Sequence, residues 1–396
     1  MKTIVLVGDG MGDRPCPILD NRTPLQAAHI PHMRRIAAAG KLYLADTIPE
    51  GFPPGSDVAN LGLLGYDARQ FYSGRAPIEA AGAGLPLLAE DVAVRCNLVN
   101  IEDGIMVDYS SGHISNEDAA PLVAALDEAL GKDGLRFHTG VQYRHLLIWN
   151  RGPTQPPTQP PHDILGQPIR DYLPKGEGAE GLLALMEASK AVLAKHPVNR
   201  ARAARGETPV TQIWLWGQGQ ALKLPTYAEL YGMTGTVITA VDLVRGLGVL
   251  AGLDTPKVPG ATGWIDTNYE GKVAYALEAL KTRDFVYVHV EAPDECGHVG
   301  DAKLKTEAIT AFDARLVGPI WQAMERRGEP FRLLVTMDHR TPVEIRGHSA
   351  EPVPLATLEG PVGEVYEETA FDEFIHDGRV DLRTFEWIPA WLRGEV

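Results

Sequence analysis

The stretch Asp284–His298, DFVYVHVEAPDECGH, opens with an aromatic and β-branched run, Phe285 to Val290, and breaks at Pro293. The run has the pattern of a buried strand, and the proline predicts a short polar loop after it. In that loop Asp294 and His298 stand four apart, with small residues beside them. A carboxylate and an imidazole so placed can converge on one divalent cation just beyond the strand's C-terminal end. The same spacing also describes a solvated aspartate and an ordinary surface histidine. Cys296 lies inside the loop and ranks below both as a ligand, because oxygen and nitrogen donors recur elsewhere in the pattern and a lone thiol does not.

Two other strands end in the same way. Thr3 to Val7 is a compact apolar run followed by GDGMGD, which carries Asp9 at the strand end. This spacing is not the dinucleotide fingerprint, so Asp9 either caps the turn or faces a cation. Phe331 to Met337 is a third strand and finishes in Asp338-His339, with His348 nine residues beyond His339. In an open parallel sheet every strand releases its C-terminal loop at one edge, where such folds bind ligands. The expected fold is therefore α/β, a mostly parallel sheet flanked by helices. Oxygen and imidazole ligands gathered at one edge suit two divalent ions, and their mixture favours Mn²⁺ or Zn²⁺ over Ca²⁺. Between the first two strands lies PEGFPPGSDVANLGLLGYD, Pro49 to Asp67, where a tight turn places Ser56 at the start of a helix over Val58 to Leu64. Serine there is either an N-cap or a nucleophile that carries a phosphoryl group at the helix N-terminus. Two-metal sites support in-line phosphoryl displacement, and that chemistry gives Ser56 the second role.

The 396 residues predict two domains, and 44% hydrophobic residues suffice for both. A net charge of -15 without any basic run argues against nucleic-acid or anionic-membrane partners. Cys16, Cys96 and Cys296 are odd in number and far apart, which predicts free thiols and a reducing cytoplasm. The opening apolar run is too short for a signal peptide, and no segment approaches the roughly 20 apolar residues of a membrane span.

Texture changes along the chain. A helix is expected from Pro24 through Ala39, and Tyr72 to Gly84 reads as a hinge. Residues 84–231 then read as an inserted smaller α+β domain, with strands at Val92–Val99 and Tyr143–Trp149 and helices at Glu117–Leu130 and Gly181–His196. PTQPPTQPP, Pro153 to Pro161, is expected as an extended surface loop. Arg75, Arg95 and Arg144, with His113 and His145, fall at strand or turn positions of this half and could together form an anion-binding face. Trp214 and Trp216 read as core. From Gly232 the first texture returns, so 1–83 and 232–396 form the other domain. A long helix from Lys303 to Met324 is interrupted near Gly318-Pro319.

Taken together, Asp9, PPGSD around Ser56, APDECGH, DHRTP and His348 resemble the cofactor-independent phosphoglycerate mutases, in their short archaeal-type form within the alkaline phosphatase superfamily. The resemblance extends through VITAVDLVRGLGVLAGL and PGATGWIDTNYEGK, almost end to end. It implies that Asp294, His298 and His348 bind one metal and that Asp9, Ser56, Asp338 and His339 bind the other. Mn²⁺ is the first expectation, with Zn²⁺ or Mg²⁺ as alternatives, and no 2,3-bisphosphoglycerate is required. It further implies a small phosphorylated substrate, 3-phosphoglycerate, whose phosphoryl group passes to the serine and returns to the 2-hydroxyl in a closed cleft. Arg75, Arg95, Arg144 and His113 would hold that substrate, and Arg245 falls near the place of a further cation beside the phosphate.

One segment departs from the family. Archaeal-type mutases tend to carry an arginine-rich segment where this chain has DYSSGH, Asp108 to His113. That variant resembles a bacterial subgroup proposed to act as homoserine kinase, so phosphoryl transfer to another small alcohol, or phosphomonoester hydrolysis, stands as the alternative. A non-catalytic metal-binding protein would leave Ser56 with no reason to sit among seven matched positions.

Overall fold

The apolar runs fold as strands in a computed structural model that describes all 396 residues. In chain order the strands are β1 (Lys2–Gly8), β2 (Lys41–Asp46), β3 (Asp91–Glu102), β4 (Ile105–Asp108), β5 (Leu135–Val141), β6 (Arg144–Asn150), β7 (Gln212–Gln220), β8 (Gly235–Ile238), β9 (Phe285–Val290), β10 (Phe331–Thr336), β11 (Val353–Gly360) and β12 (Leu382–Arg383). The chain divides into two units, residues 1–72 with 223–396 and residues 73–222. The insert thus begins earlier and ends earlier than the 84–231 read from texture.

The larger unit is built on a seven-stranded sheet in the order β12-β2-β11-β10-β1-β9-β8. β10, β1, β9 and β8 are mutually parallel, and β11 alone runs against its neighbours β10 and β2. Six of the seven strands therefore share one direction. β9 and β10 are buried along their whole length, which explains their unbroken apolar sequence, since a parallel sheet is covered on both faces. Each Val, Leu or Ile so buried contributes roughly 1.5–3 kcal/mol. The register places Gly8 opposite Val290 and Val7 opposite Thr336, so the residues that follow β1, β9 and β10 emerge at one level. His348 arrives at the same edge from the other direction, because β11 is antiparallel and starts there.

Two expectations are corrected. Asp294 and His298 lie on a helix, Ala292–Val299, and not in a loop. Pro293 opens that helix, where its missing N–H is harmless, Asp294 and Glu295 suit the positive end of its dipole, and Gly300 closes it at φ +81°. The Pro24–Ala39 helix is two, Pro24–Ala27 and Pro31–Ala39, parted because Pro31 keeps Ile30 out of helical conformation. The second piece has no side-chain cap of its own; the buried Asp313 carboxylate accepts the N–H groups of His32 and Met33 from across the core. Asp313 begins a π-helical turn, Asp313–Val317, just before the Gly318-Pro319 site where interruption was expected.

The smaller unit packs β4-β3-β6-β5, with β7 on the other side of β3, against helices Asn116–Leu130 and Ala179–Lys195. Trp214 and Trp216 lie in its core as expected. The segment 75–82 is a helix, Arg75–Gly82, and the division between the units falls just before it, after Tyr72. The proline repeat is tied to β7: Trp214 Nε1 donates to Gln159 O at 2.8 Å, and Gly217 N–H donates to Thr158 Oγ1 at 3.0 Å. No helix in either unit is long and apolar enough to cross a membrane.

Behind the sheet edge, buried Glu373 accepts the Asp13 N–H at 2.9 Å and the Thr23 hydroxyl at 2.8 Å. Burial pushes its carboxyl up to about 7 from 4.5. Between those values the folded chain holds a proton that the unfolded chain has released, so this contribution is complete below pH 4.5 and is lost as pH rises through 7. We expect the wild type to lose roughly 1–3 kcal/mol more than Glu373→Gln between pH 5 and pH 8, read as urea midpoints. Parallel profiles would remove Glu373 as the titrating group.

Candidate active site

The seven positions read as ligands all lie in the larger unit and converge at its sheet edge. Asp9 continues β1, its N–H bonded to Val290 O at 2.8 Å. Gly10 follows at φ +58°, and a Cβ there would stand 2.5 Å from Asp294 Oδ1 and from Thr341 Oγ1, so only glycine lets the first loop approach the third. Gly10 N–H donates to Asp338 Oδ1 at 3.0 Å, which joins the ends of β1 and β10 directly.

Two groups of ligand atoms result. Asp294, His339 and His348 form one and Asp9, Asp338 and His339 another, each with its atoms within 4.8 Å of one another. His298 joins the first group: its Nε2 lies 3.2 Å from Asp294 Oδ2 and 3.1 Å from His348 Nε2. The i, i+4 spacing on helix Ala292–Val299 puts Asp294 and His298 on one face, a cause the loop reading lacked. Ser56 stands beside the second group, its Oγ 3.1 Å from His339 Nε2. It is the first residue of helix Ser56–Leu63, after N-cap Gly55, and its hydroxyl caps nothing. The N-cap reading of Ser56 is therefore excluded.

Charge at the site is unbalanced. Asp9, Asp294 and Asp338 are all buried. Burial, then the neighbouring Asp338, Asp294 and Glu291 carboxylates, hold Asp9 well above the usual carboxylate range. Burial also opposes ionisation of Asp294, but the His298 and His348 imidazoles outweigh it and hold it well below that range. Burial disfavours charge on His298 as well, yet Asp294 carries it up to about 9, while burial takes His339 down to about 4. Asp9 Oδ1 is buried with no hydrogen-bond partner. An orphaned carboxylate oxygen, facing imidazoles and ringed by like charge, fits a cation.

Sequence reasoning passed over the residues that hold this cluster. Asn60, one turn after Ser56, donates to Ser56 O and to Asp338 Oδ2, both at 2.8 Å, and accepts the Tyr287 hydroxyl at 2.5 Å. Its i+4 position was a usable signal. Thr341 Oγ1 donates to Asp294 Oδ1 at 2.5 Å, and the buried Lys305 ammonium donates at 2.8 Å to Gly12 O, Asp13 Oδ2 and Thr341 O. Lys305 thus clamps the loops after β1 and β10 together. Cys296 is buried in the core, with its thiol pushed up to about 12 chiefly by burial, and is no ligand in this arrangement. Arg245 pairs with Asp242 and reaches Thr239 O at 3.4 Å; it does not join the seven.

In the smaller unit Arg75, Arg95 and Arg144 gather around one half-buried carboxylate, Glu79. Arg75 Nε donates to Glu79 Oε1 at 2.8 Å, Arg95 pairs with the same oxygen, and the Arg95 guanidinium lies over the Trp216 ring at 4.8 Å. Burial raises Glu79, but the three arginines outweigh it and hold the carboxyl below its ordinary value. His145 is buried and held neutral, down to about 3, and accepts the Gly140 N–H. His113 packs edge-on against Tyr143 at 6.2 Å. The DYSSGH segment is a turn closed on Asp108, whose carboxylate accepts from Ser110 and from the Gly112 N–H.

Comparison with known proteins agrees with this geometry. Residues 37–199 match the family model of 2,3-bisphosphoglycerate-independent phosphoglycerate mutase. The enzyme of that name from Methanosarcina mazei is 51% identical over 374 residues, covering 94% of each chain. Among solved structures, a Pyrococcus horikoshii protein superposes with a TM-score of 0.77 at 28% identity, covering 100% of this chain and 98% of its own. The cofactor-independent phosphoglycerate mutase of Thermoplasma acidophilum does so with 0.61 at 26%, covering all of both chains. Half the residues shared over nearly the whole length leave one placement: the chain belongs to the 2,3-bisphosphoglycerate-independent phosphoglycerate mutase family.

Proposed function

We propose that this chain is a divalent-metal-dependent phosphoglycerate mutase, an isomerase that interconverts 3-phosphoglycerate and 2-phosphoglycerate through phosphorylated Ser56. The observation that carries the reading is the uncapped Ser56 hydroxyl, 3.1 Å from His339 Nε2 at the N-terminus of an eight-residue helix. Relatives that share half their residues with it bear the mutase name.

The donor set fits two ions. His298 Nδ1 lies 3.0 Å from Arg346 O, which fixes its proton there and leaves Nε2 as a lone pair facing His348 Nε2. We assign Asp294, His298 and His348 to one ion and Asp9, Ser56, Asp338 and His339 to the other, with Mn²⁺ first and Zn²⁺ or Mg²⁺ as alternatives. Bound there, divalent ions would neutralise charge on the phosphoryl group and favour in-line displacement. The chain's own residues do the rest. Asn60 locks the nucleophile's turn to Asp338, so Ser56 needs no rearrangement before attack. As the Ser56 Oγ–P bond forms and the serine gives up its proton, the bond from phosphorus to O3 breaks and O3 takes a proton; in the return step O2 gives up its proton, the O2–P bond forms, the Oγ–P bond breaks and the serine is reprotonated. Arg75, Arg95 and Arg144 hold the small anion through paired charge-assisted hydrogen bonds. Glu79 positions them, since a shared carboxylate fixes the direction in which each guanidinium points.

A phosphorus NMR time course with 3-phosphoglycerate as the sole phosphorylated compound tests the reading. Metal-reconstituted protein should yield 2-phosphoglycerate without inorganic phosphate, and chelation should stop it. Inorganic phosphate as the product would mark a phosphomonoesterase instead, and silence with phosphoglycerate would direct the search to homoserine and a phosphoryl donor. Ser56→Ala should lower kcat by about 10³-fold or more at nearly unchanged metal content, because Asp9, Asp338 and His339 remain as ligands; ordinary turnover would exclude the phosphoserine route. Glu79→Gln should raise KM by about tenfold, ~1.4 kcal/mol, with a smaller change in kcat. An unmoved KM would separate the arginine cluster from substrate binding.

A further inference from the structure

Away from the sheet edge, the smaller unit carries an open cavity of about 540 Å³. Its walls come from the end of β3 and the turn after it, the C-terminal half of helix Ala179–Lys195, helix Pro197–Ala204 and the segment that leads into β7. Most of the lining is apolar, with Ile101, Ile169, Ala194 and Val210 among it. The cavity shares no residue with Arg75, Glu79, Arg95 or Arg144, so it is separate from the arginine cluster of the same unit.

One side chain singles this cavity out. Gln212, the first residue of β7, is 3% exposed and lines the cavity, and its amide joins no hydrogen bond within the chain. Its neighbours are all used: Thr211 Oγ1 accepts the Ile101 N–H at 2.7 Å, while Asn199 donates to Leu193 O and Val210 O and accepts the Val210 N–H. A carboxamide left idle at that depth is unusual, since burying an unsatisfied polar group costs about 1–3 kcal/mol. The little surface it keeps belongs to the cavity, so its partner is whatever fills that space.

Three charged side chains, Asp103, Lys190 and Arg200, also line the cavity and are exposed. Lys190 pairs with Glu187 at 2.6 Å, whereas Arg200 and Asp103 have no ion pair. One free guanidinium, one free carboxylate and an amide that both donates and accepts match a molecule carrying both signs of charge. The apolar wall matches a hydrophobic body. We propose that this cavity binds a small zwitterion with an apolar body, the chemistry of an apolar α-amino acid, with its carboxylate met by Arg200, its ammonium by Asp103 and its polar end by Gln212. The inference stands on the smaller unit alone and does not depend on the mutase reading.

Isothermal titration calorimetry on the whole protein tests it. The probes are L-phenylalanine, 3-phenylpropanoate as the same body without the ammonium, and 2-phenylethylamine as the same body without the carboxylate. The wild type should take up one phenylalanine per chain, and each analogue should bind at least about tenfold more weakly, ~1.4 kcal/mol. Arg200→Gln and Gln212→Leu should each weaken phenylalanine by about tenfold or more. Should Gln212→Leu fail to fold, Arg200→Gln carries the test, because its side chain is exposed. No uptake of phenylalanine at about 10 mM, ten times a weak Kd of ~1 mM, would overturn the site. An analogue that binds as tightly as phenylalanine would overturn the zwitterion, and undiminished binding in the variants would place the ligand elsewhere and overturn the cavity.

Discussion

The organising constraint in the larger unit is like charge held out of water. Three aspartates, Asp9, Asp294 and Asp338, are buried at one sheet edge with Glu291 beside them. Isolated carboxylates in such surroundings would protonate or draw in water. Here the imidazoles of His298, His339 and His348 interleave with them. Imidazole is neutral when it binds metal, so it adds donors without adding charge. That choice of side chain suits the edge to cations.

Holding such a cluster requires that the loops be fixed independently of what binds there. Parallel register brings Asp9, Asp294 and Asp338 to one level, and this costs nothing beyond forming the sheet. The remaining freedom of the loops is removed from behind. Lys305 bonds three oxygens drawn from the loops after β1 and β10, and Gly10 and Asn60 each tie a loop to Asp338. A buried lysine with all three protons used is satisfied electrically and geometrically, so it holds shape without competing for the carboxylates that face the edge.

The parts legible in the sequence are those that a period or a strand end encodes. β1, β9 and β10 announce themselves as apolar runs, and the acids after them follow from chain direction alone. Helix Ala292–Val299 was hidden because proline reads equally as a breaker and as a first helical residue, and only the closing Gly300 distinguishes the two. β11 and β12 carry weaker patterns, so the antiparallel strand that delivers His348 could not be placed beforehand.

The smaller unit poses the opposite electrostatic problem. Arg75, Arg95 and Arg144 surround the single carboxylate of Glu79, and Arg95 is itself buried against Trp216. Three guanidinium groups gather near one carboxylate in a chain whose total is -15. Global charge therefore says little about the partner: at the length scale of a small ligand the local field decides, since screening removes contributions from beyond about 8–10 Å. One unit thus carries carboxylates that call for cations, and the other carries arginines that call for an anion. A phosphorylated, carboxylated substrate and divalent metal are the two kinds of ligand that answer those opposite demands, and neither demand is visible in composition.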